Sequence, residues 1–323
     1  MRNVLVPAML AALLTTACGG VDFEPGSHVT SVRVLGTRAN QPYAQPGTEI
    51  DLEALAIDGR RDQPEPMTLY WFPTPCIDPE NDGHFGCYPA LAQPFTPGVD
   101  LSPQLTTGDR FAFQLPPDII ANHHGQRGDL EYGLAVVFMM ACAGHVESLA
   151  IPAGSGPDAI PFGCFDAQRR RLSPDSYVFT YSSVFAFADR PNQNPVLDGV
   201  TWRGAPVDPV LGITLPHCTH AVIDDCPTTA LDSLVPASSQ EVNPGNRDAD
   251  GNVLKEQIWA DYYVTGGKVK NDVSALYDPR VGKLSSTAND FYAPQTAGDY
   301  LLWSVVRDDR GGTAWVEIPI HAQ

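Results

Sequence analysis

Between residues 246 and 252 the chain reads Asn-Arg-Asp-Ala-Asp-Gly-Asn, which sets the side-chain oxygens of Asn246, Asp248 and Asp250 at alternate positions ahead of a glycine. That spacing suits a hard cation. The three oxygens would take the first, third and fifth places of a calcium loop, Gly251 permits the sharp turn, and the carbonyl of Asn252 would take the seventh. The twelfth place holds Gln257 instead of a bidentate Glu, with Glu256 one residue early. A Ca2+ ion held there would be bound weakly, in the roughly 0.1–1 mM range of extracellular modules. A plain interstrand turn accounts for the same residues without any ion. Asp78-Pro-Glu80-Asn-Asp82-Gly83 repeats the alternation in a more acidic form. Asp78, Glu80 and Asp82 are also the carboxylates a hydrolase would use, provided two of them stood about 5–10 Å apart in a groove with one pKa raised.

Six of the seven cysteines fall into neighbouring pairs along the chain: Cys76 with Cys87, Cys142 with Cys164, and Cys218 with Cys226. Three local disulfides are therefore expected, each restricting the unfolded chain by about 2–4 kcal/mol. The rival use of the last pair is zinc, for which His217-Cys218-Thr219-His220 and Cys226 supply ligands, without the ligand spacing of the usual zinc motifs. His123 and His124 precede Gly125 in a polar stretch that reads as a solvated loop. Arg127-Gly128-Asp129 spells a tripeptide that animal integrins recognise, and a hairpin turn explains it equally well. Asp308-Asp309-Arg310-Gly311-Gly312 is acidic enough to touch a cation, although a turn between the last two strands already accounts for it. The chain has no Gly-x-Ser-x-Gly elbow, no His-Glu-x-x-His pair and no phosphate-cradling glycine loop. These absences argue against the common enzyme classes, and a non-enzymatic protein is expected.

Cys18 stands apart from the other cysteines. Met1 and Arg2 make a short positive start, Val4 to Leu14 an apolar run, and Thr15-Thr16-Ala17 brings small residues up to Cys18. The run is too short to span a bilayer, which takes about 20 apolar residues. The pattern resembles a lipoprotein signal peptide, with Thr15 where that family prefers Leu. The resemblance implies cleavage before Cys18 and acylation there by palmitate-like chains, which would hold the protein to a lipid bilayer of the cell envelope, the outer membrane being expected. Residues 1–17 are then signal peptide and residues 18–27 a tether.

The elements that must position these side chains are short. Thirty Pro and 28 Gly punctuate 323 residues too often for long helices. A length of this order suits two domains. With 38 acidic against 20 basic side chains, the net charge of -18 disfavours nucleic acid and anionic surfaces. Period-two alternation marks strands at Val29–Leu35 and from Ile50 to Ala56, and Leu69-Tyr70-Trp71-Phe72 reads as a strand with Trp71 in the core. Residues 73–108, rich in Pro, Asp and Gly, read as a long decorated loop. Strands resume at 110–115 and 130–140. In the second half they are expected at 257–264, 269–276, 300–307 and 313–320, beyond a polar joint at Asn192-Gln193-Asn194-Pro195.

Val32-Arg33-Val34-Leu35-Gly36, Pro46-Gly47, Leu69–Phe72, Gly133–Val136 running to Cys142, and Phe162-Gly163-Cys164 together resemble bacterial surface lipoproteins with immunoglobulin-like modules. Ala297–Tyr300 followed by Leu301, Trp303 and Val305 resembles the late hairpin of immunoglobulin-like or PKD-like sandwiches, in which a Tyr caps the corner through its hydroxyl. The resemblance implies an all-β chain of two such sandwiches, at residues 28–191 and 192–323. The function expected from it is that of a membrane-anchored binding or structural module, whose partner is an envelope protein or polysaccharide. An exported hydrolase on polysaccharide or peptide is the competing expectation.

Overall fold

The structure is a computed structural model that describes residues 25–63, 65–123, 130–152, 154–156 and 159–323. The signal segment, Cys18, His124 and Arg127–Asp129 lie outside the described residues. Alternation in the sequence becomes strand pairing in the first half. Strand β1 (Val32–Ala39) is followed by β2 (Tyr43–Ala44) and β3 (Glu49–Asp58). In β3, Ile50, Leu52 and Ala54 point into the core while Glu49 and Asp51 point to water, the period of two that a half-buried strand demands. Next come β4 (Thr68–Trp71), β5 (Cys76–Ile77), β6 (Thr106–Thr107), β7 (Arg110–Gln114) and β8 (Gly133–Cys142). A hairpin of β9 (His145–Ser148) and β10 (Phe162–Phe165) leads to β11 (Tyr177–Ala186).

One sheet runs β1-β3-β7 and the other β2-β11-β8-β4-β6, with β2 parallel to β11 and the other pairs antiparallel. The opening strand thus divides between the two sheets, and two antiparallel sheets in this order make an immunoglobulin-like sandwich. Trp71 is fully buried between them; its indole nitrogen donates to Gly108 O at 2.8 Å and its ring stacks on Phe111.

Strand β8 departs from alternation, since all ten of its residues are buried. Ala135, Val137, Met139 and Ala141 face the sandwich core, whereas Val136, Phe138, Met140 and Cys142 belong to a second apolar cluster on the outer face. That cluster is closed by Cys87, Tyr88, Leu101 and Phe162, so the segment after β4, with its one short helix α1 (Tyr88–Ala92), and the β9–β10 hairpin act as a lid. An antiparallel strand with both faces covered has no polar side to show.

The second half repeats the plan. It contains β12 (Val200–Trp202), β13 (Ala205–Pro206), β14 (Ile213–Leu215), β15 (Thr228–Ser233), β16 (Val242–Arg247) and β17 (Val253–Lys255). It continues through β18 (Ile258–Val264), β19 (Lys268–Val269), β20 (Val273–Asp278) and β21 (Gly282–Lys283) to β22 (Asn289–Tyr292), β23 (Gly298–Asp308) and β24 (Thr313–Ala322). The sheets run β13-β12-β15-β22-β19 and β14-β24-β23-β18-β20-β21, with β14 parallel to β24; β16 and β17 form a separate hairpin. The hydroxyl of Tyr300 lies 2.6 Å from Thr296 Oγ1 and donates to Thr296 O, which caps the corner before β23.

The two sandwiches are packed face against face. Trp303 and Val305 on the outer side of β23 are wholly buried against Val29 and Leu35, with Leu55, Ile57, Tyr263 and Trp315 around them. The Arg38 guanidinium lies 4.3 Å over Trp315. Residues at the end of the expected tether are already fixed: Ser27 is buried, Val29 N donates to Val264 O, and Val264 N donates to Ser27 O, each at 2.8 Å. The polar joint is a clasp. Asn194 Nδ2 donates to Ala39 O at 2.7 Å in the first sandwich, while its Oδ1 accepts from Thr313 N at 2.9 Å in the second. Asn192, 1% exposed, donates to Arg310 O at 3.2 Å.

Arg310, 5% exposed, is the centre of that clasp. Its Nε donates to Glu256 Oε1 at 2.8 Å, its Nη2 to Glu241 Oε2 at 2.8 Å, and its Nη1 to Pro191 O at 3.0 Å. Asp308 Oδ1 accepts from Arg310 N and Gly312 N at 2.8 and 2.7 Å. A Cβ on Gly312 would collide with Asp308 Oδ2, so a larger residue there would push the Asp308 carboxylate out of its place in the turn. Burial pushes the Glu256 carboxyl up to about 7 against the opposing pull of Arg310, and burial also raises Asp308.

Removing the guanidinium by Arg310→Met leaves Glu256 buried without its counter-ion. Chemical denaturation should show a loss of about 3–5 kcal/mol, and the double variant Arg310→Met with Glu256→Gln should recover much of it. Because the folded Glu256 binds its proton more tightly than an ordinary Glu near 4.5, its contribution is fully present below that pH and is lost as pH rises through about 7. Denaturation midpoints measured across that window should fall with pH, and Glu256→Gln should flatten the slope.

Candidate functional site

Strand β2 is only two residues long, yet its pairing fixes an aromatic wall. Tyr43 lies in register with Phe185 on β11. Its ring centroid is 4.5 Å from that of Phe187 and 6.3 Å from that of Phe185, with Tyr132 6.0 Å from both phenylalanines. Two depressions flank this wall at the seam of the sandwiches, and they share Tyr43, Phe187 and Arg190. The smaller, of about 210 Å³, reaches from Phe185 across to Asn243, Gly245 and Asn246 on the β16–β17 hairpin. The larger, of about 610 Å³, is bordered by Asn40, Gln41, Gln45, Asp189 and Gln193.

The charges around this groove are paired. Arg310 lies 5.6 Å over Tyr43 while bound to Glu256 and Glu241, so its charge is balanced from behind. Arg190 lies 5.8 Å over the Phe187 ring, and its Nε is 3.8 Å from Asp189 Oδ1. What the groove offers is therefore an aromatic surface rimmed by carboxamides and backbone. Such a surface stacks against flat or C–H-bearing faces and exchanges hydrogen bonds in both directions.

Behind Tyr132 sits a second cluster. The side chain of His123 is 4% exposed, with Nδ1 2.6 Å from Asp78 Oδ1 and Nε2 3.3 Å from Asp82 Oδ1. Tyr132 Oη donates to Asp82 Oδ2, and its ring centroid is 4.2 Å from the imidazole. Asp78, Asn81 and Asp82 all have positive φ, between 52° and 58°, backbone that a non-glycine residue adopts at a cost. The expected solvated loop is thus corrected for His123: the imidazole is buried, and it ties the loop closed by Cys76–Cys87 to the core. Sequence reasoning missed this because the residues that cover His123 lie about 45 positions upstream.

The remaining candidates fall as follows. Cys76–Cys87, Cys142–Cys164 and Cys218–Cys226 are bridged. The zinc alternative is overturned, because both sulfurs of the last pair are spent and His217 Nδ1 lies 2.8 Å from Gln323 O. The segment from Asn246 to Asn252 closes the β16–β17 hairpin, and its oxygens do not fit a calcium loop. Asp248 Oδ1 accepts from Asp250 N and Asn252 N, Asp248 Oδ2 accepts from Asn252 Nδ2, and the Asn252 carbonyl accepts from Asp248 N. Those bonds, led by that from Asn252, hold Asp248 below the usual carboxylate range. Asn246 lines the smaller depression. Among the described residues no three His, Cys, Asp or Glu side chains are grouped to hold a metal. Asp78 and Asp82 are committed to His123, and Glu80 is exposed.

No protein-family model and no curated protein matches the sequence. Solved structures give alignments that include the fibronectin(III)-like modules of CbhA from Clostridium thermocellum, at 8% identity and TM-score 0.20, covering 89% of this chain and 94% of that one. The C-terminal domain of the AgI/II polypeptide BspA from Streptococcus agalactiae aligns at 10% identity and TM-score 0.21, covering 89% and 99%. Latent PorU from Porphyromonas gingivalis aligns at 9% identity and TM-score 0.21, over 92% of this chain and 24% of that protein. At such scores the immunoglobulin-like assignment rests on the strand order given above, and nothing about activity passes from these proteins to this chain.

Replacing His123 by Ala would leave Asp78 and Asp82 facing one another without the imidazole between them. The expected cost is about 1–3 kcal/mol of stability. Limited proteolysis should then cut first within residues 78–86, with the disulfide intact.

Proposed function

We propose that this chain is an exported envelope lipoprotein, anchored through acylated Cys18, that binds a partner in the groove beside Tyr43, Phe187 and Arg190 and does not transform it. The observation that carries the reading is that the smaller depression is built from both sandwiches, which the clasp around Arg310 holds in one arrangement, and the larger continues it along the joint. Three disulfides suit an oxidising compartment outside the cytoplasm. The net charge of -18 turns the molecule away from nucleic acid, leaving an envelope protein or polysaccharide as the partner class.

A hydrolytic role has less support. Of the carboxylates proposed for it, Asp78 and Asp82 hold His123. The groove itself has Asp189 as its one carboxylate among the described residues that line it, where acid and base catalysis of glycoside hydrolysis needs two.

Attachment is tested by Cys18→Ser. The substituted chain should move from the membrane pellet to the soluble fraction after a carbonate wash, with an unchanged unfolding transition. Retention in the pellet would show that something other than an acylated Cys18 holds the protein.

A further inference from the structure

On the reading that the seam groove is the binding face, its chemistry narrows the ligand, and we infer that it takes a stretch of neutral saccharide lying across Tyr43 from the smaller depression into the larger. The first ground is charge. The chain carries 38 acidic and 20 basic side chains. Yet the charged side chains among the described residues of the groove lining are Asp189, Arg190 and Arg310 alone. Asp189 and Arg190 stand 3.8 Å apart, and Arg310 is neutralised by Glu256 and Glu241. A surface so balanced, in a protein so acidic, offers no field to draw a polyanion or a polycation.

The second ground is the match of hydrogen-bonding groups. A carboxamide donates and accepts, and so does a sugar hydroxyl. Asn40 and Asn243 spend part of that capacity inside the protein, since Asn40 Oδ1 accepts from Asp51 N and Asn243 Oδ1 from Gly245 N. Gln41, Gln45 and Gln193 rim the larger depression on exposed backbone, and Asn246 lines the smaller. Between them the half-buried Tyr43, packed on Phe187, lines both depressions and brings there an aromatic side chain with a hydroxyl, the kind of group that packs against the C–H-bearing side of a pyranose.

The third ground disfavours an extended peptide, which would ordinarily add a strand to a free sheet edge. At this seam the edge is β2, two residues long, and its outer side already bridges Asn192 at Tyr43. The other edge strand lining the groove, β16, pairs only with β17, but Pro244 and the register shift between Asn243 and Arg247 interrupt it. Both make poor templates for a peptide backbone, and side-chain chemistry of the kind a saccharide offers is the better match.

The test uses the full chain in its Cys18→Ser form and a panel of cellotriose, maltotriose, mannotriose and the N-acetylglucosamine trimer, with the galacturonic acid trimer as a charged comparison. Saturation-transfer NMR and calorimetry should find saturable binding of at least one neutral trimer, and weaker binding of the charged one. Tyr43→Ala should weaken the neutral trimer at least tenfold. Because Tyr43 also packs under Arg310, the exposed pair Gln41→Ala with Gln45→Ala is the second variant, expected to weaken binding three- to tenfold with an unchanged unfolding transition. Absence of binding by every neutral trimer, preference for the charged trimer, or equal binding by wild type and both variants would overturn the inference. Co-sedimentation with isolated envelope fragments separates the two levels. Tyr43-dependent co-sedimentation that no neutral trimer displaces would overturn the saccharide and leave a binding groove for another partner, such as a protein. No co-sedimentation and no trimer binding would overturn both.

Discussion

A guanidinium shut off from water must find its counter-charges and hydrogen-bond acceptors inside the protein, and the way Arg310 finds them determines much of this molecule. Glu241 immediately precedes β16 and Glu256 immediately follows β17, so one side chain grips both feet of the hairpin that walls the smaller depression. The same side chain reaches Pro191 O at the joint and lies over Tyr43 in the first sandwich. Hairpin, joint and aromatic wall are therefore held in register by a single buried cation. Such a group adds little net stability relative to apolar packing, and what it supplies here is arrangement. Sliding of one sandwich along the other would break its bond to Pro191 O and lift it off the Tyr43 ring, while its ion pairs with Glu241 and Glu256 fix the hairpin within the second sandwich. Attraction between the sandwiches comes from elsewhere, from the burial of Trp303, Val305, Val29 and Leu35, which is favourable but tolerant of direction.

Two long central strands illustrate a shared problem solved by different means. Strands β8 and β23 each lie at the middle of a sheet and each carry large apolar side chains on both faces, so each needs a cover for the side away from its own core. For β8 the cover is local, supplied by α1, the Cys76–Cys87 loop and the β9–β10 hairpin with its Cys142–Cys164 bridge. For β23 the cover is the other sandwich. Where the cover is made of short irregular segments, disulfides and the buried His123 hold it down. Where it is a sheet, packing and the Arg310 clasp suffice.

This division also explains what the sequence disclosed. Alternation in β3 and β18 marks one inward face, and each strand has one. Cysteine proximity pointed to the three bridges, since closing a short loop needs little from the rest of the fold. Tyr300 declared its corner through neighbours within the same turn. Two features were hidden because their partners are distant in sequence. His123 read as solvated because Asp78, Asp82 and Tyr132 arrive from other segments. Asn192 to Pro195 read as a polar joint, and its part in a clasp was hidden because Ala39 and Thr313 close on it from either side. Around Asp248 the sequence allowed either a calcium loop or a plain turn, because the spacing of oxygens is visible in sequence whereas the direction in which a hairpin turns them is not. Tyr43, Phe187 and Arg190, the shared wall of the groove, belong to no motif and come together only when β2 pairs with β11.

A groove at a seam is useful for binding only if the seam does not open. Were the sandwiches joined by a free linker, a ligand would have to pay for fixing their relative orientation before gaining contacts on both walls, and modest contacts of the kind offered by amides and one aromatic ring would not offset it. Here that ordering is settled during folding, by Asn192, Asn194 and Arg310, so the contacts of even a small ligand count in full. The same reasoning explains how a residue as costly to bury as Arg310 can line the smaller depression without charging it: its guanidinium is consumed by Glu241, Glu256 and Pro191 O in fixing the walls, which leaves the surface they form nearly neutral.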